Sequence, residues 1–434
     1  MINTILANLK IEALNEMQLA TLKASKENKD LVLLSPTGSG KTLGFLLPIL
    51  NSLDKSKKGI QALVIVPSRE LAIQIEQVFK QMGTGYKVSC FYGGHSTRTE
   101  KNNLEEPAAL VVGTPGRLAD HIRRETLDGS DIQTLVLDEF DKALEFGFEK
   151  DMTFIIENIG NVKKRILTSA TNIDEIPSFT GVRNPIILNF VKDQVSSQLT
   201  LKYIKSTGTD KLDALFNLIC KIGDKTTLIF CNHREAVERI SEVLAEKGIG
   251  HDVFHGGLEQ DERQRALIKF RNGSHRILIT TDLASRGLDI PEIENVIHYQ
   301  LPPHENAFIH RNGRTARMHA EGTSYLVLGE TEPIPDYVQQ SPDWEELGSK
   351  IAVPKNSPWE TLYISAGKKD KINKMDIVGF LHQKMNLQKD EVGLIEVQDH
   401  ASYVAIKRDK IEMVVQNSRN EKIKKQSVKI QIAR

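Results

Sequence analysis

Residues 35–42 read Ser-Pro-Thr-Gly-Ser-Gly-Lys-Thr and follow directly on the apolar run Leu31-Val32-Leu33-Leu34. A buried strand that ends in a glycine-rich turn and opens a helix offers bare backbone N–H groups to a chain of phosphates. In this pattern Ser35, Thr37, Gly38, Ser39, Gly40 and Lys41 are expected to cradle a nucleotide. Lys41 reaches the outer phosphates, and the Thr42 hydroxyl is placed for Mg²⁺. Gly38 and Gly40 matter because a Cβ would block the approach. Ser35 stands where the strict pattern has its first glycine, so a connecting turn without a ligand is the competing reading. A second cluster, Asp138-Glu139-Phe140-Asp141, ends the apolar run Thr134–Leu137. Carboxylates at the carboxyl end of a parallel strand suit a metal ion and its water. Asp138 is expected to hold Mg²⁺ through its water shell, and Glu139 to orient and deprotonate an attacking water. Taken alone such acids are common in acidic loops; the phosphate loop upstream is what gives them a task.

Positioning these groups requires parallel strands. From Leu31 to about Phe190, short runs rich in β-branched residues (Ala62–Val66, Val88–Tyr92, Ala109–Val112, Leu135–Leu137, Ile166–Leu167, Ile186–Leu188) alternate with helical patterns. Runs that do not alternate with polar residues predict strands covered on both faces. The series restarts with Leu228–Phe230, Asp252–Phe254, Ile277–Thr280, Val296–Tyr299 and Tyr325–Leu328. The fold class expected is α/β: two tandem parallel-sheet domains, residues 1–195 and 205–330, then a proline-rich linker or strap at 331–359. Residues 360–434 read βαββαβ, which predicts a split βαβ sandwich whose sheet is open on one face. No internal repeat is visible.

The chain has 434 residues, 40% hydrophobic and 26% charged, with a formal net charge of zero. That length exceeds one core, and that composition is ordinary for a globular protein. No apolar run approaches a membrane span and the start lacks a secretory layout, so no membrane partner is expected. Cys90, Cys220 and Cys231 have no metal spacing and read as reduced thiols, which favours a cytoplasmic setting. Charge is unevenly spread: residues 361–434 carry 15 Lys/Arg against 9 Asp/Glu. The tail is where a polyanion is sought first, a solvated basic face being the alternative.

With these motifs in order, the chain resembles the DEAD-box RNA helicases of superfamily 2 over residues 10–330, which implies that its two parallel-sheet domains are tandem RecA-like domains. Pro67-Ser68-Arg69-Glu70-Leu71, Gly93-Gly94 and Thr114-Pro115-Gly116-Arg117 match that family's RNA-contacting motifs. The resemblance implies RNA contacts at Arg69, Gly94, Thr114 and Arg117, and coupling of hydrolysis to strand separation through Ser169-Ala170-Thr171, with Ser169 and Thr171 carrying it. In the second domain Leu228–Asn232, Gln260–Arg263, Thr280–Asp289 and His310–Arg317 follow in the family's order. They imply RNA contacts at Asn232, Arg263 and Thr280, and an ATP ribose contact at Asp289. Arg263 and Arg286 fit salt bridges as well. Arg314 and Arg317, three apart on an expected helical stretch, share one face. By resemblance they reach the terminal phosphate of ATP when the domains close. Gln18 fits the adenine-reading glutamine, although Leu14-Asn15 replaces the usual Pro-Thr; an ordinary helix-surface residue is the other reading. Phe140 replaces the family's alanine, and Asn312 and Ala316 replace isoleucine and glycine.

The tail resembles the C-terminal RNA-recognition domain of DbpA-type helicases through Leu362–Lys371, Asp376-Ile377-Val378-Gly379 and Ala401–Ile406. This implies an RRM-like domain, recognition of a hairpin of large-subunit ribosomal RNA and a role in ribosome assembly. On the sheet face only Tyr363 and Tyr403 are placed to stack on bases, while Lys368, Lys369, Lys371, Lys407 and Arg408 form a basic rim for phosphates. A protein-docking or structural module is the alternative. The leading expectation is a monomeric, RNA-stimulated ATPase that opens short RNA duplexes with ATP and Mg²⁺. An RNA clamp with incidental turnover and a DNA-directed helicase remain as alternatives.

Overall fold

The computed structural model describes every residue except 37, 94–107, 161, 172–174, 192–198, 209, 285–289, 291–292, 317–320, 349–351, 420, 425 and 434. Thr37, Gly94, Asp289 and Arg317, all expected at the site, therefore lie outside the described residues, as does Arg286. The chain divides into two compact units, residues 1–197 and most of 198–434.

In the first unit seven parallel strands form one sheet. They are β1 (Leu31–Leu34), β2 (Ala62–Ile65), β3 (Val88–Phe91), β4 (Leu110–Gly113), β5 (Thr134–Leu137), β6 (Lys164–Ser169) and β7 (Ile186–Asn189), in the order β3-β4-β2-β5-β6-β1-β7. All four residues of β1, β2, β4 and β5 are buried, as continuous apolar runs require when helices cover both faces. One face packs on Phe45, Ile75 and Phe79, the other on Phe91, Phe140 and Ile155. In register, Leu34 of β1 lies beside Ser169 of β6, and Leu137 of β5 beside Leu167. The carboxyl ends of β1, β5 and β6 therefore form one edge.

The second unit repeats the plan. Its strands β8 (Leu199–Lys205), β9 (Thr227–Phe230), β10 (Asp252–Phe254), β11 (Ile277–Thr280), β12 (Asn295–His298), β13 (Gly322–Leu328) and β14 (Asp343–Trp344) run in the order β10-β11-β9-β12-β13-β8-β14. This is the first order shifted by seven. Residues 331–348, read as a linker or strap, add β14 to that sheet's edge. Glu345 there pairs with Lys202 at 2.6 Å, and the Tyr337 ring lies 5.7 Å from Phe308.

The tail supplies a four-stranded antiparallel sheet ordered β16-β17-β15-β20. It is built from β15 (Trp359–Ile364), β16 (Val392–Val397), β17 (Ser402–Lys407) and, after a short hairpin of β18 (Lys422–Ile423) and β19 (Gln426–Ser427), β20 (Ile430–Ile432). Helices Lys374–Gln383 and Arg408–Asn417 cover one face over Leu362, Ile364, Val404 and Ile406. The other face was expected open. Instead Tyr403 and Ala433 bury Ile268 of helix Gln260–Arg271, with Tyr363 packed beside them. The Thr361 hydroxyl bonds to Asn272 Nδ2 at 3.2 Å and the Ser274 hydroxyl at 2.5 Å, and Arg271 pairs with Glu396 at 3.0 Å. The alternating period of a strand places Tyr363 and Thr361 on the side away from the tail's own core. That side carries enough apolar area to bury itself.

Candidate active site and nucleic-acid interface

The phosphate loop leaves β1 and enters helix Lys41–Ser52 through two left-handed residues, Gly38 (φ 83°) and Gly40 (φ 86°). At the φ of 86° any side chain is strained, and a Cβ on Gly40 would lie 2.6 Å from Gln18 Nε2 and displace that amide. Ser35 donates its N–H to Ser169 O at 3.0 Å, stitching loop to β6, and its hydroxyl bonds to Ser39 Oγ at 2.7 Å. Lys41, 8% exposed, donates Nζ to the carbonyls of Ser35 (2.6 Å) and Pro36 (2.9 Å). Thr42 is half-buried in the first helical turn.

Gln18 is not a surface residue: it is 5% exposed. It occupies the third position of helix Glu16–Ala24 and closes a capping box with Asn15, accepting that residue's N–H at 3.0 Å. Its Nε2 donates to Gly40 O at 3.1 Å, and Asn15 Nδ2 donates to Ser39 O at 2.8 Å. The two side chains thus fasten the phosphate loop to the preceding helix.

Asp138 and Glu139 follow β5 and are 3% and 5% exposed. Burial pushes the Asp138 carboxyl above its ordinary range, against opposing pulls from the Thr168 hydroxyl, which donates to it, and from the Lys41 charge. The same Thr168 oxygen accepts the Glu139 N–H at 3.2 Å. Asp141 Oδ2 accepts the Thr171 hydroxyl at 2.8 Å, and Ser169 Oγ donates to Thr171 O at 2.8 Å. Ser169 and Thr171 are therefore wired to the acidic cluster. Phe140 is fully buried beside Phe179, with ring centroids 6.1 Å apart. A buried cluster of carboxylates with one Lys41 cation nearby has the donor chemistry of a divalent-ion and nucleotide site.

In the second unit the helix Glu305–Asn312 ends before Arg314, which corrects the expected helical pairing of Arg314 with Arg317. Gly313 caps it and Ala316 takes a left-handed φ of 52°, so the chain turns instead. Arg314 is 1% exposed. Two residues expected to contact RNA make internal bonds. Asn232 spends its amide internally, donating to Leu301 O at 2.9 Å and accepting from Arg311 at 2.7 Å. The Thr280 hydroxyl, 0% exposed, bonds to Phe254 O at 2.7 Å. Arg263 is 7% exposed and donates to Gln260 Oε1 at 2.6 Å.

The residue missed by the sequence reading is Arg311. Fully buried, it holds both oxygens of Asp282 (2.7 and 3.0 Å), Gln300 O (2.8 Å) and Asn232 Oδ1, and lies 5.3 Å over the Phe230 ring. It joins the ends of β9, β11 and β12. Its signal was present in the run His310–Arg317, where only the two later arginines were assigned chemistry.

In the first unit Arg69 opens helix Arg69–Gln81 beside Gly93, Thr114 caps helix Pro115–Arg123, and Arg117 pairs with Asp120 at 3.2 Å. In the tail Tyr403 is 7% exposed and its ring meets Tyr363 edge-on at 5.5 Å. Tyr403 is packed on helix Gln260–Arg271 and is closed to base stacking, while Tyr363 is half-buried beside it. Arg408 is likewise spent, bonding to Glu360 at 2.5 Å, Ser274 O at 2.9 Å and Trp359 O at 2.9 Å, while Lys407 lies over Trp359. Lys368, Lys369 and Lys371 stay exposed on a turn anchored by Lys368 N–H to Gln398 O (2.8 Å) and Lys369 N–H to Asp399 O (2.9 Å). Gly367 permits that turn, since a Cβ would come within 2.1 Å of Gln398 O.

Residues 15–179 match the DEAD/DEAH box helicase family, 210–319 the helicase conserved C-terminal domain and 361–432 the DbpA RNA binding domain. The chain is 30% identical to the ATP-dependent RNA helicase DbpA of Bacillus subtilis across 96% of its own length and 94% of that protein's. To the DbpA helicase of Escherichia coli it is 31% identical over 90% and 88%. Among solved structures, Saccharomyces cerevisiae Dbp5 bound to RNA and ADP BeF3 superposes with a TM-score of 0.68 at 26% identity, covering 76% of this chain and 87% of that one. Mss116p bound to ssRNA and AMP-PNP gives 0.68 at 26%, covering 76% and 72%.

Proposed function

The chain belongs to the DEAD-box ATP-dependent RNA helicases, and from that membership we propose that it opens short RNA duplexes during assembly of the large ribosomal subunit, recruited by a ribosomal RNA hairpin. One observation carries the finer reading: likeness to the two DbpA helicases runs through the tail, and the tail is positive in a chain whose remaining residues carry a negative excess. The exposed Lys368, Lys369 and Lys371 turn is the part of the tail suited to phosphate oxygens. The chain would act as a monomer in the cytoplasm. Its working division is a nucleotide lobe (1–195), a second lobe (205–330), a strap (331–359) and the tail (360–434).

ATP is the family's nucleotide, and the residues here fit it. Lys41 and the loop amides would hold its phosphates, Thr42 and Asp138 would hold Mg²⁺, and Gln18 would face the base. Bound Mg²⁺ supplies charge neutralisation at the terminal phosphoryl oxygens. Asp138 must be ionised to serve; its low exposure opposes this, and Thr168 and Lys41 favour it. Glu139 orients the attacking water and takes its proton. Arg314 and Arg317 contribute charge from the second lobe when RNA draws the lobes together. Such arginines accelerate phosphoryl transfer by about 10³–10⁵, so hydrolysis becomes conditional on RNA. Arg69, Thr114, Arg117 and Arg263 are the backbone contacts in this scheme, without base readout.

ATP turnover measured with RNA and with DNA of one sequence tests the proposal. RNA should stimulate strongly and DNA little, and an RNA carrying the ribosomal hairpin should act at lower concentration than one without it. Equal potency of the two RNAs would remove the hairpin from the reading.

A further inference from the structure

The first unit carries a second basic concavity, at the end of its sheet opposite the phosphate loop. A cavity of about 640 Å³ opens where β1, β6 and β7 begin, lined by Lys29, Asp30, Lys163, Arg165, Gly181 and Arg183 among others. β1 separates it from Ser35 by four residues, or about 13 Å of strand. The nucleotide site at the other end makes no use of these side chains.

Four cations face one carboxylate. That carboxylate is already engaged: Asp30, 9% exposed, accepts the backbone N–H of Arg165 at 2.8 Å and of Arg183 at 3.1 Å. It ties the three strand starts together, and its single negative charge leaves a surplus of positive charge on the four cationic side chains. Arg165 is half-buried; its NH1 donates to Val162 O at 3.2 Å, while its Nε is buried and has no hydrogen-bond partner. A Cβ on Gly181 would come within 3.0 Å of that Nε, so the glycine keeps the guanidinium in place. Lys29, Lys163 and Arg183 are exposed at the rim, and none forms an ion pair among the described residues. No aromatic ring lines the cavity, so bases find no ring to stack on there. A concavity with a positive surplus concentrates anions, and the half-buried Arg165 guanidinium in its wall suits a phosphate oxygen.

We propose that this groove is a phosphate-binding site, distinct from the nucleotide site, that takes neighbouring phosphate groups. An RNA backbone and a free polyphosphate present the same chemistry to it. The test uses the full chain with saturating ADP and Mg²⁺, so that the phosphate loop is occupied. Inorganic tripolyphosphate titrated by calorimetry should bind in one further equivalent. Arg165→Ala and the rim pair Lys163→Glu with Arg183→Glu should each weaken it at least tenfold. The rim residues are exposed and outside the catalytic set, so RNA-saturated turnover of that variant should match the unaltered chain and report a folded lobe. If Arg165→Ala misfolds, the rim variant decides alone. RNA affinity against salt separates the two sources, since each lost phosphate contact lowers the logarithmic slope by about 0.7–0.9. A slope lower by about two in the rim variant assigns the site to RNA; an unchanged slope with lost tripolyphosphate binding assigns it to free phosphates. Absence of the extra tripolyphosphate equivalent, or its indifference to both variants, overturns the proposal.

Discussion

Glu139 adopts φ 49° and ψ 47°, a conformation that costs a non-glycine residue about 1–2 kcal/mol. Its N–H is held by Thr168, whose hydroxyl also fixes Asp138, so the neighbouring strand sustains the strained turn. Strain held by such bonds sets the direction of a side chain, here the one expected to activate water. Glu139→Gln keeps the shape and removes the base. Its turnover at saturating RNA should fall by about 10²–10⁴, while binding of RNA and of a fluorescent ATP analogue changes less than threefold. Turnover within tenfold of the unaltered chain would take proton abstraction away from Glu139.

His298 joins three elements. It lies on β12, and its Nε2 meets Asn312 Oδ1 at the end of helix Glu305–Asn312 (2.9 Å) and Ser324 Oγ on β13 (3.1 Å). Because Asn312 Oδ1 accepts, Nε2 carries the proton and Nδ1 is left without a partner. Burial first, and then the Arg311 charge, push this imidazole down to about 3. An unfolded histidine titrates near 6.5 (about the model-peptide value), so below that pH the unfolded chain takes up a proton the folded one refuses. This contribution to stability is complete above pH 6.5 and declines as pH falls toward 3, by about 1.4 kcal/mol per unit. In urea titrations between pH 7 and pH 5, the transition of the second unit should lose about 2 kcal/mol from this group. His298→Asn should lack that share; equal losses in the two proteins would refute the assignment.

At the scale of the whole molecule, the tail is part of the second unit and not a tethered appendage. Tyr403, Ala433, Thr361 and Arg408 cover Ile268, Asn272 and Ser274, which are at most 7% exposed. Burial of one large side chain is worth about 1.5–3 kcal/mol. Removing residues 361–434 should therefore lower the melting temperature of the second unit by roughly 4–10 °C, taking about 2–4 °C per kcal/mol for a body of this size. Preference for a hairpin should vanish with it. An unshifted melting temperature would mean that the tail contributes nothing to the lobe beneath it.

The parallel sheets, the phosphate loop and the acidic cluster were legible because their signals are local. Four apolar residues before Ser35 and three before Asp138 state a buried strand and the edge at which it ends. The repetition of one seven-strand order in both units left no trace in residue identity, because many apolar sequences fill the same buried strand. Nor could spacing reveal that Arg311 is the buried knot of the second lobe, that the helix stops before Arg314, or that Tyr363 and Tyr403 face protein. Local chemistry and periodicity determined what each segment can do. Which surfaces meet was decided by the folded chain, since burial is settled by area brought together from residues more than a hundred positions apart, as Ile268 and Tyr403 are.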